Sequence, residues 1–238
     1  MTTPTVVDEI IVDTPFGRFL GPASDIIVST LKAGTLWDGP GFLQPIAREY
    51  GQLGTPGVTI LDIGAHIGTF SVWLAQQGAW RVVAVEPVPE TYRYLQANLD
   101  LNKGVCADRV IPLQVGGYAS EMILTADPID PGNYGATALR QDPHGLINGR
   151  ALDSYRWLYG LQVSLIKIDA QGCDGRVIEG LTETIRQYHP TIVFEWEALL
   201  ANRHGMKFMQ ILTFLESMGY MVRVWPTHPS NYLARYQP

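Results

Sequence analysis

Apolar positions along this chain fall into two alternating patterns. Short apolar runs bounded by glycine, proline or an acid predict buried strands at Val58–Asp62, Arg81–Glu86, Arg109–Val115, Val163–Asp169 and Thr191–Trp196. Between them, apolar residues recur three or four positions apart, the spacing of a helix face. This predicts helices over Thr69–Gln77, over Pro89–Leu101 with Tyr92, Leu95 and Leu99 on one face, and over Phe208–Met218 with Phe208, Ile211, Leu212 and Leu215 inward. A further helix after Asp169 carries Val177, Ile178, Leu181 and Ile185. At the N-terminus, Ile10–Val12 and Arg18–Leu20 flank a Thr-Pro-Phe-Gly turn and predict a hairpin, followed by helices over Ser24–Leu31 and Phe42–Tyr50. Met122–Thr125 predicts an extra strand, and Tyr220–Val224 with Tyr232–Arg235 a closing antiparallel pair. Pro128–Gly149, rich in Pro, Gly, Asn and Asp, reads as a long loop of the functional or mobile kind. Alternating strands and helices imply an α/β fold, a parallel sheet covered on both faces. With no repeat, linker or low-complexity tract, residues 1–238 read as one domain, with 1–56 as an N-terminal cap on a core over 57–238.

The densest signal is Leu61-Asp-Ile-Gly-Ala-His-Ile-Gly-Thr69. It joins a strand to a helix through Gly64 and Gly68, and the next strand ends in the acid Glu86. Such a unit builds a nucleoside pocket, with the terminal acid accepting from ribose hydroxyls. Asp62 decides which nucleoside: a carboxylate at that strand end repels a pyrophosphate but pairs with an ammonium. S-adenosyl-L-methionine joins an ammonium, a carboxylate and a sulfonium. The glycines suit a close backbone approach to it, and the helix start near Ile67 or Gly68 suits its carboxylate. The loop reads D-x-G-x-x-x-G rather than the dinucleotide G-x-G-x-x-G, and no Tyr-x-x-x-Lys pair follows; both count against a nicotinamide-dependent oxidoreductase, the alternative enzyme.

Composition narrows the partners. At net charge −6 and pI about 5.3, without a Lys/Arg cluster, the chain is not expected to bind nucleic acid. It carries no apolar stretch of about 18 residues, so no membrane span is expected, and its first residues lack the basic and apolar regions of a secretory signal. With two cysteines, Cys106 and Cys173, a reducing, cytoplasmic setting is expected. A small-molecule acceptor is the expected partner; self-association is left open.

Together with Asp62–Gly68, the segments Val85-Glu86-Pro87-Val-Pro, Leu95-Gln-Ala-Asn98, Ala151-Leu-Asp-Ser154, Leu165-Ile-Lys-Ile-Asp-Ala-Gln-Gly172 and Phe194-Glu195 resemble the FkbM-type methyltransferases over about residues 10–225. The resemblance implies a Rossmann-like class I methyltransferase sheet, mostly parallel with an antiparallel last strand, with helices on both faces behind an N-terminal hairpin and helices. It also implies use of S-adenosyl-L-methionine, released as S-adenosyl-L-homocysteine, to methylate a hydroxyl on a natural product or sugar. Within it, Trp37 and Asp38 stand where the family has an aromatic–acid pair near the cofactor, and Tyr134 stands near the acceptor. Two departures matter. His66 replaces the usual Asn, and Gln171 replaces the Glu of D-V-E-G-x-E, with Asp174 shortening a second acid. Loss of that glutamate is the one feature favouring a non-catalytic cofactor-binding scaffold.

In a doubly wound sheet, ligands sit at the carboxyl ends of the strands. The expected cofactor-binding residues are therefore Trp37, Asp62, Gly64, His66, Gly68, Thr69, Glu86 and Pro87, with Gln114 and Val115 at the end of the third strand near the adenine. Asp169 and Glu195 end the next two strands and face the acceptor. Methylating a hydroxyl requires removal of its proton, so Asp169 is the expected base, Glu195 its second or orienter, and His204 a third candidate. Lys167 points away from Ile166 and Ile168, to a sheet face or to Glu195. Asp169, Asp174, Glu195 and His204 could together form a hard-metal site, although no histidine shows ligand spacing and a divalent metal is not predicted.

Overall fold

The computed structural model describes residues 7–37, 39–158, 160–225 and 228–237, without the side chains of 39–43. Strands β1 (Glu9–Thr14) and β2 (Gly17–Pro22) form the expected hairpin, followed by helices α1 (Ile26–Lys32) and α2 (Gly39–Tyr50). The core begins with β3 (Val58–Ile63), α3 (Thr69–Gln76), β4 (Arg81–Val85), α4 (Pro89–Leu101), a single-turn α5 (Lys103–Cys106) and β5 (Val110–Leu113). A small second sheet follows, made of β6 (Gly116–Gly117), β7 (Met122–Ala126), β8 (Leu139–Gln141) and β9 (Ile147–Arg150). The chain then returns through β10 (Gln162–Ile168), α6 (Asp174–Glu179), α7 (Thr182–Tyr188), β11 (Thr191–Glu195), α8 (Ala198–Arg203) and α9 (Phe208–Ser217). It closes with β12 (Tyr220–Trp225) and β13 (His228–Tyr236).

The seven-stranded sheet has the order β12-β13-β11-β10-β3-β4-β5. Strands β5, β4, β3, β10 and β11 run parallel, while β13 enters antiparallel between β11 and β12. Strand order reverses between β3 and β10, which opens a crevice at their carboxyl ends. Every residue of β3 is buried, as a central strand with both faces covered requires. Leu61 and Ile63 pack on one face with Val83, Ile166, Ile168 and residues of α6, α7 and α9. Ile60 packs on the other with Val82, Ala84, Leu165 and residues of α1, α3 and α4. Asp62 and Lys167, at even and odd positions of directly paired strands, fall on this second face as cross-strand neighbours.

Two expectations change. The stretch Pro128–Gly149 is not one long loop: β8 and the start of β9 lie in it, because Leu139 and Ile147 are buried beside Leu124. Turn-forming residues around these short strands mask them in the sequence. The single helix expected after Asp169 is two. Gly180 ends α6, and its carbonyl accepts from Asp153 N–H, which turns the chain before α7. No helix among the described residues is long and apolar enough to cross a membrane.

Candidate active site

A cavity of about 460 Å³ opens at the switch point. Its walls come from the β3–α3 loop, the end of β4, Trp37, the Asn133–Thr137 turn, the ends of β10 and β11, and β13. The loop is shaped by protein contacts before any ligand arrives. Gly64 and Gly68 have φ of +79° and +88°. A Cβ on Gly64 would stand 1.9 Å from the Asp169 carbonyl oxygen, and one on Gly68 would stand 2.6 Å from Leu95 Cδ1. The glycines thus let β3 approach β10 and let α3 seat on α4, and Gly64 also lines the cavity. The amides of Gly64 and Ala65 both donate to the Val85 carbonyl, and the His66 amide donates to Glu86 Oε2 at 2.9 Å. The loop lines the cavity with Gly64, Ala65 and the His66 side chain, followed by the first turn of α3 at Thr69 and Phe70.

Asp62 sits below the cavity floor rather than in its wall. Its Oδ2 accepts from Ser71 Oγ at 2.6 Å, and its Oδ1 makes no hydrogen bond but lies 3.6 Å from Lys167 Nζ. Lys167 is thus the ammonium that Asp62 faces. It also donates to the Gly64 carbonyl and lies 3.6 Å from Asp169 Oδ2, so its partners are Asp62 and Asp169, not Glu195. Two opposed charges in an apolar face require this mutual pairing.

Glu86 and Pro87 line the cavity as expected. Glu86 is held by Val88 N–H at 3.0 Å and Thr91 Oγ at 2.6 Å on one oxygen and by the His66 amide on the other. Burial raises its pKa, and these three donors pull it back. His66 occupies the left-handed region at φ +54°, unusual for a residue with Cβ. Its Nε2 is buried without a hydrogen-bond partner beside the cavity. Burial lowers its pKa to about 4, against the pull of Asp25 and Asp169, so the ring is neutral near pH 7. Trp37 lines the mouth and is half exposed; Asp38, its expected companion, lies outside the described residues. Gln114 is exposed and Val115 is in the core; neither lines the cavity, whereas Gly117 does.

The acids at the acceptor end form one cluster. Gln171, at φ +47°, donates from Nε2 to Asp169 Oδ1 at 2.9 Å and to Glu195 Oε2 at 3.3 Å. Beneath them, buried Asp174 accepts from the amides of Gly172 and Glu195, each at 3.3 Å, and ties the ends of β10 and β11 together. Burial, then repulsion from Asp169, Asp174 and Glu197, pushes the Glu195 carboxyl up to about 8. Burial and Asp169 push Asp174 up to about 7. Among the described residues, no group of three or more His, Cys, Asp or Glu side chains is arranged to hold a metal ion.

His204 is not in the cavity wall. Residues after α8 fold it inward, where Tyr118 Oη and Cys173 Sγ each lie 3.3 Å from a ring nitrogen. Burial lowers its pKa and raises that of Cys173 to about 12, so both are neutral core groups. The structure also adds residues that were not anticipated. Asp25 caps α1 through the amides of Ile27 and Val28, and its other oxygen accepts from Tyr134 N–H at 2.8 Å. With Ser24 Oγ donating to the Pro131 carbonyl and Ile26 N–H to that of Gly132, it clips the Asn133–Thr137 turn over the cavity. An aspartate just before an apolar periodic run is a helix-start signal that would have marked it. Glu197, His228 and Asn231 reach the rim; β13 brings the last two there from the C-terminal end of the chain, and no local motif announces that.

The chain is similar to known proteins. Methyltransferase sdnD of Sordaria araneosa is 26% identical over 136 residues, which cover 55% of this chain and 48% of that protein. The crystal structure of methyltransferase FkbM from Methylobacillus flagellatus KT matches 79% of this chain and 49% of its own, with a TM-score of 0.53 at 17% identity, a likeness of fold. The chain spans about half the length of these two relatives. The methyltransferase FkbM domain matches residues 62–222, more than half of the sequence, and the chain belongs to that family.

Proposed function

We propose that this protein transfers a methyl group from S-adenosyl-L-methionine to a hydroxyl group of a small natural product or sugar. The observation that carries this reading is the pairing, in one cavity, of a nucleoside end and an acidic end. The first has Glu86 and the unpartnered His66 Nε2; the second has Asp169 and Glu195. The donor set fits the cofactor. Glu86 has accepting capacity left for a ribose hydroxyl beyond its three bonds, and Thr69 and Phe70 present the first turn of α3 to a carboxylate. The His66 side chain lines the same space, and its Nε2, buried without a hydrogen-bond partner, sits beside it as a neutral polar group. When bound, the cofactor supplies an electrophilic methyl group on a sulfonium.

The protein's part is alignment and proton removal. The Asn133–Thr137 turn, clipped by Asp25, roofs the site and limits water. Asp169 and Glu195 stand where an acceptor hydroxyl loses its proton, and Lys167 keeps Asp169 oriented. A methyl-labelled cofactor tested against a panel of hydroxylated natural products and sugars checks the reading: labelled product is expected, and Asp169→Asn is expected to abolish it while retaining cofactor binding. Retained binding with no transfer across the panel would contradict turnover and favour a cofactor-binding scaffold.

A further inference from the structure

The most unusual group at the acceptor end is an amide rather than an acid. Gln171 sits between two strand-end carboxylates, and its Nε2 donates to both: Asp169 Oδ1 at 2.9 Å and Glu195 Oε2 at 3.3 Å. An amide nitrogen has two hydrogens, so each carboxylate receives one. The backbone reaches this position only in the left-handed region, at φ +47°. A residue with Cβ rarely adopts that conformation, and the strain marks the placement as specified by its surroundings.

The two carboxylates share the Gln171 amide, and Asp174, which accepts from the Gly172 and Glu195 amides, and Glu197 are close enough to repel Glu195. The counter-charge from β10 is Lys167, which approaches Asp169 at 3.6 Å. Like charges this close resist ionising together. Donors aimed at the ionised forms are what make a doubly charged pair accessible, and Gln171 supplies one to each member.

We propose that Gln171 is a positioning residue whose amide holds Asp169 and Glu195 side by side and eases their ionisation, so that the pair, rather than either acid alone, is the proton acceptor of the reaction. This rests on the methyl-transfer reading above. As the acceptor hydroxyl is methylated, its O–H bond breaks and the proton passes to the carboxylate pair. A bond forms between the acceptor oxygen and the methyl carbon, the carbon–sulfur bond breaks with its electrons going to sulfur, and the pair later releases the proton to solvent. A glutamate at 171 would remove the amide's two donors and add a third negative charge; Gln171 instead lowers the cost of ionising the two acids that remain.

The test reads the pair directly and needs no acceptor. In protein labelled with carboxyl-¹³C glutamate, the Glu195 resonance is identified by its loss in Glu195→Gln and followed by NMR against pH. Gln171→Met keeps the side-chain length and removes both donors. It is expected to move the Glu195 midpoint upward by about one to two pH units, the effect of one hydrogen bond to a charged group. Asp169→Asn removes the paired charge and is expected to move the midpoint downward, independently of any effect of Gln171→Met on folding. An unchanged midpoint in Gln171→Met, or in Asp169→Asn, would overturn the proposal. Calorimetry of S-adenosyl-L-homocysteine with the unsubstituted protein is run alongside. Failure to bind would count against the methyl-transfer reading and leave the carboxyl titration as a separate result.

Discussion

Gly64→Ala separates two explanations of the glycine loop. If Gly64 exists to let a ligand approach, alanine costs affinity and leaves the fold intact. The structure assigns it a different task, because a Cβ there would lie 1.9 Å from the Asp169 carbonyl oxygen, on backbone that cannot swing aside. A left-handed φ of +79° adds about 1–2 kcal/mol for any residue with Cβ. Forcing β3 from β10 adds the cost of overpacking, about 1–3 kcal/mol. The expected loss is therefore about 3 kcal/mol, which in a chain of this size lowers the thermal midpoint by about 6–12 °C. Urea unfolding and a thermal melt measure it. An alanine variant as stable as the parent but unable to bind S-adenosyl-L-homocysteine would refute this reasoning and return Gly64 to ligand contact.

Other expectations follow from the same geometry. Asp25→Ala removes the cap of α1 and the acceptor of Tyr134 N–H, so it should cost about 1–2 kcal/mol and speed hydrogen exchange at the Tyr134 amide; unchanged exchange would show that the clip does not hold the turn. Lys167→Met leaves Asp62 as an uncompensated buried charge and should cost about 3–5 kcal/mol in urea unfolding. His66→Asn places at φ +54° a residue that tolerates that conformation, and a gain of about 0.5–1 kcal/mol is expected in the same assay. Because the Glu195 carboxyl is raised to about 8 in the fold, the native state holds a proton that the unfolded chain releases in the ordinary carboxylate range. Its contribution to stability is complete below about pH 4.5 and lost as pH rises toward 8. Glu195→Gln should flatten that decline in pH-dependent melts.

Much of the sheet could be read from the chain because buried parallel strands are continuous apolar runs, and β3, β4 and β10 end where glycine or an acid follows. The longer helices were legible from apolar residues three or four positions apart, except at Gly180, where a tertiary hydrogen bond from Asp153 overrides an unbroken apolar period; the short α5 and α8 were not anticipated. Strand-end acids could be found by position, but not their partners. That Asp62 faces Lys167 depends on β3 lying beside β10, a pairing between segments about a hundred residues apart. His204 lies nine residues past the end of β11, yet the turn after α8 carries it into the core against Tyr118 and Cys173. Gln171 stood out as a substitution, while its bridge between two carboxylates depends on a left-handed backbone that residue identity does not announce.

The central claim is that the cavity between β3 and β10 receives S-adenosyl-L-methionine. Isothermal calorimetry of the purified chain with S-adenosyl-L-homocysteine, and separately with NAD, tests it most directly. The account predicts binding of the first with a dissociation constant on the order of micromolar, weakened by substitution of Glu86, and no heat from NAD. Clear binding of NAD with none of S-adenosyl-L-homocysteine would contradict it.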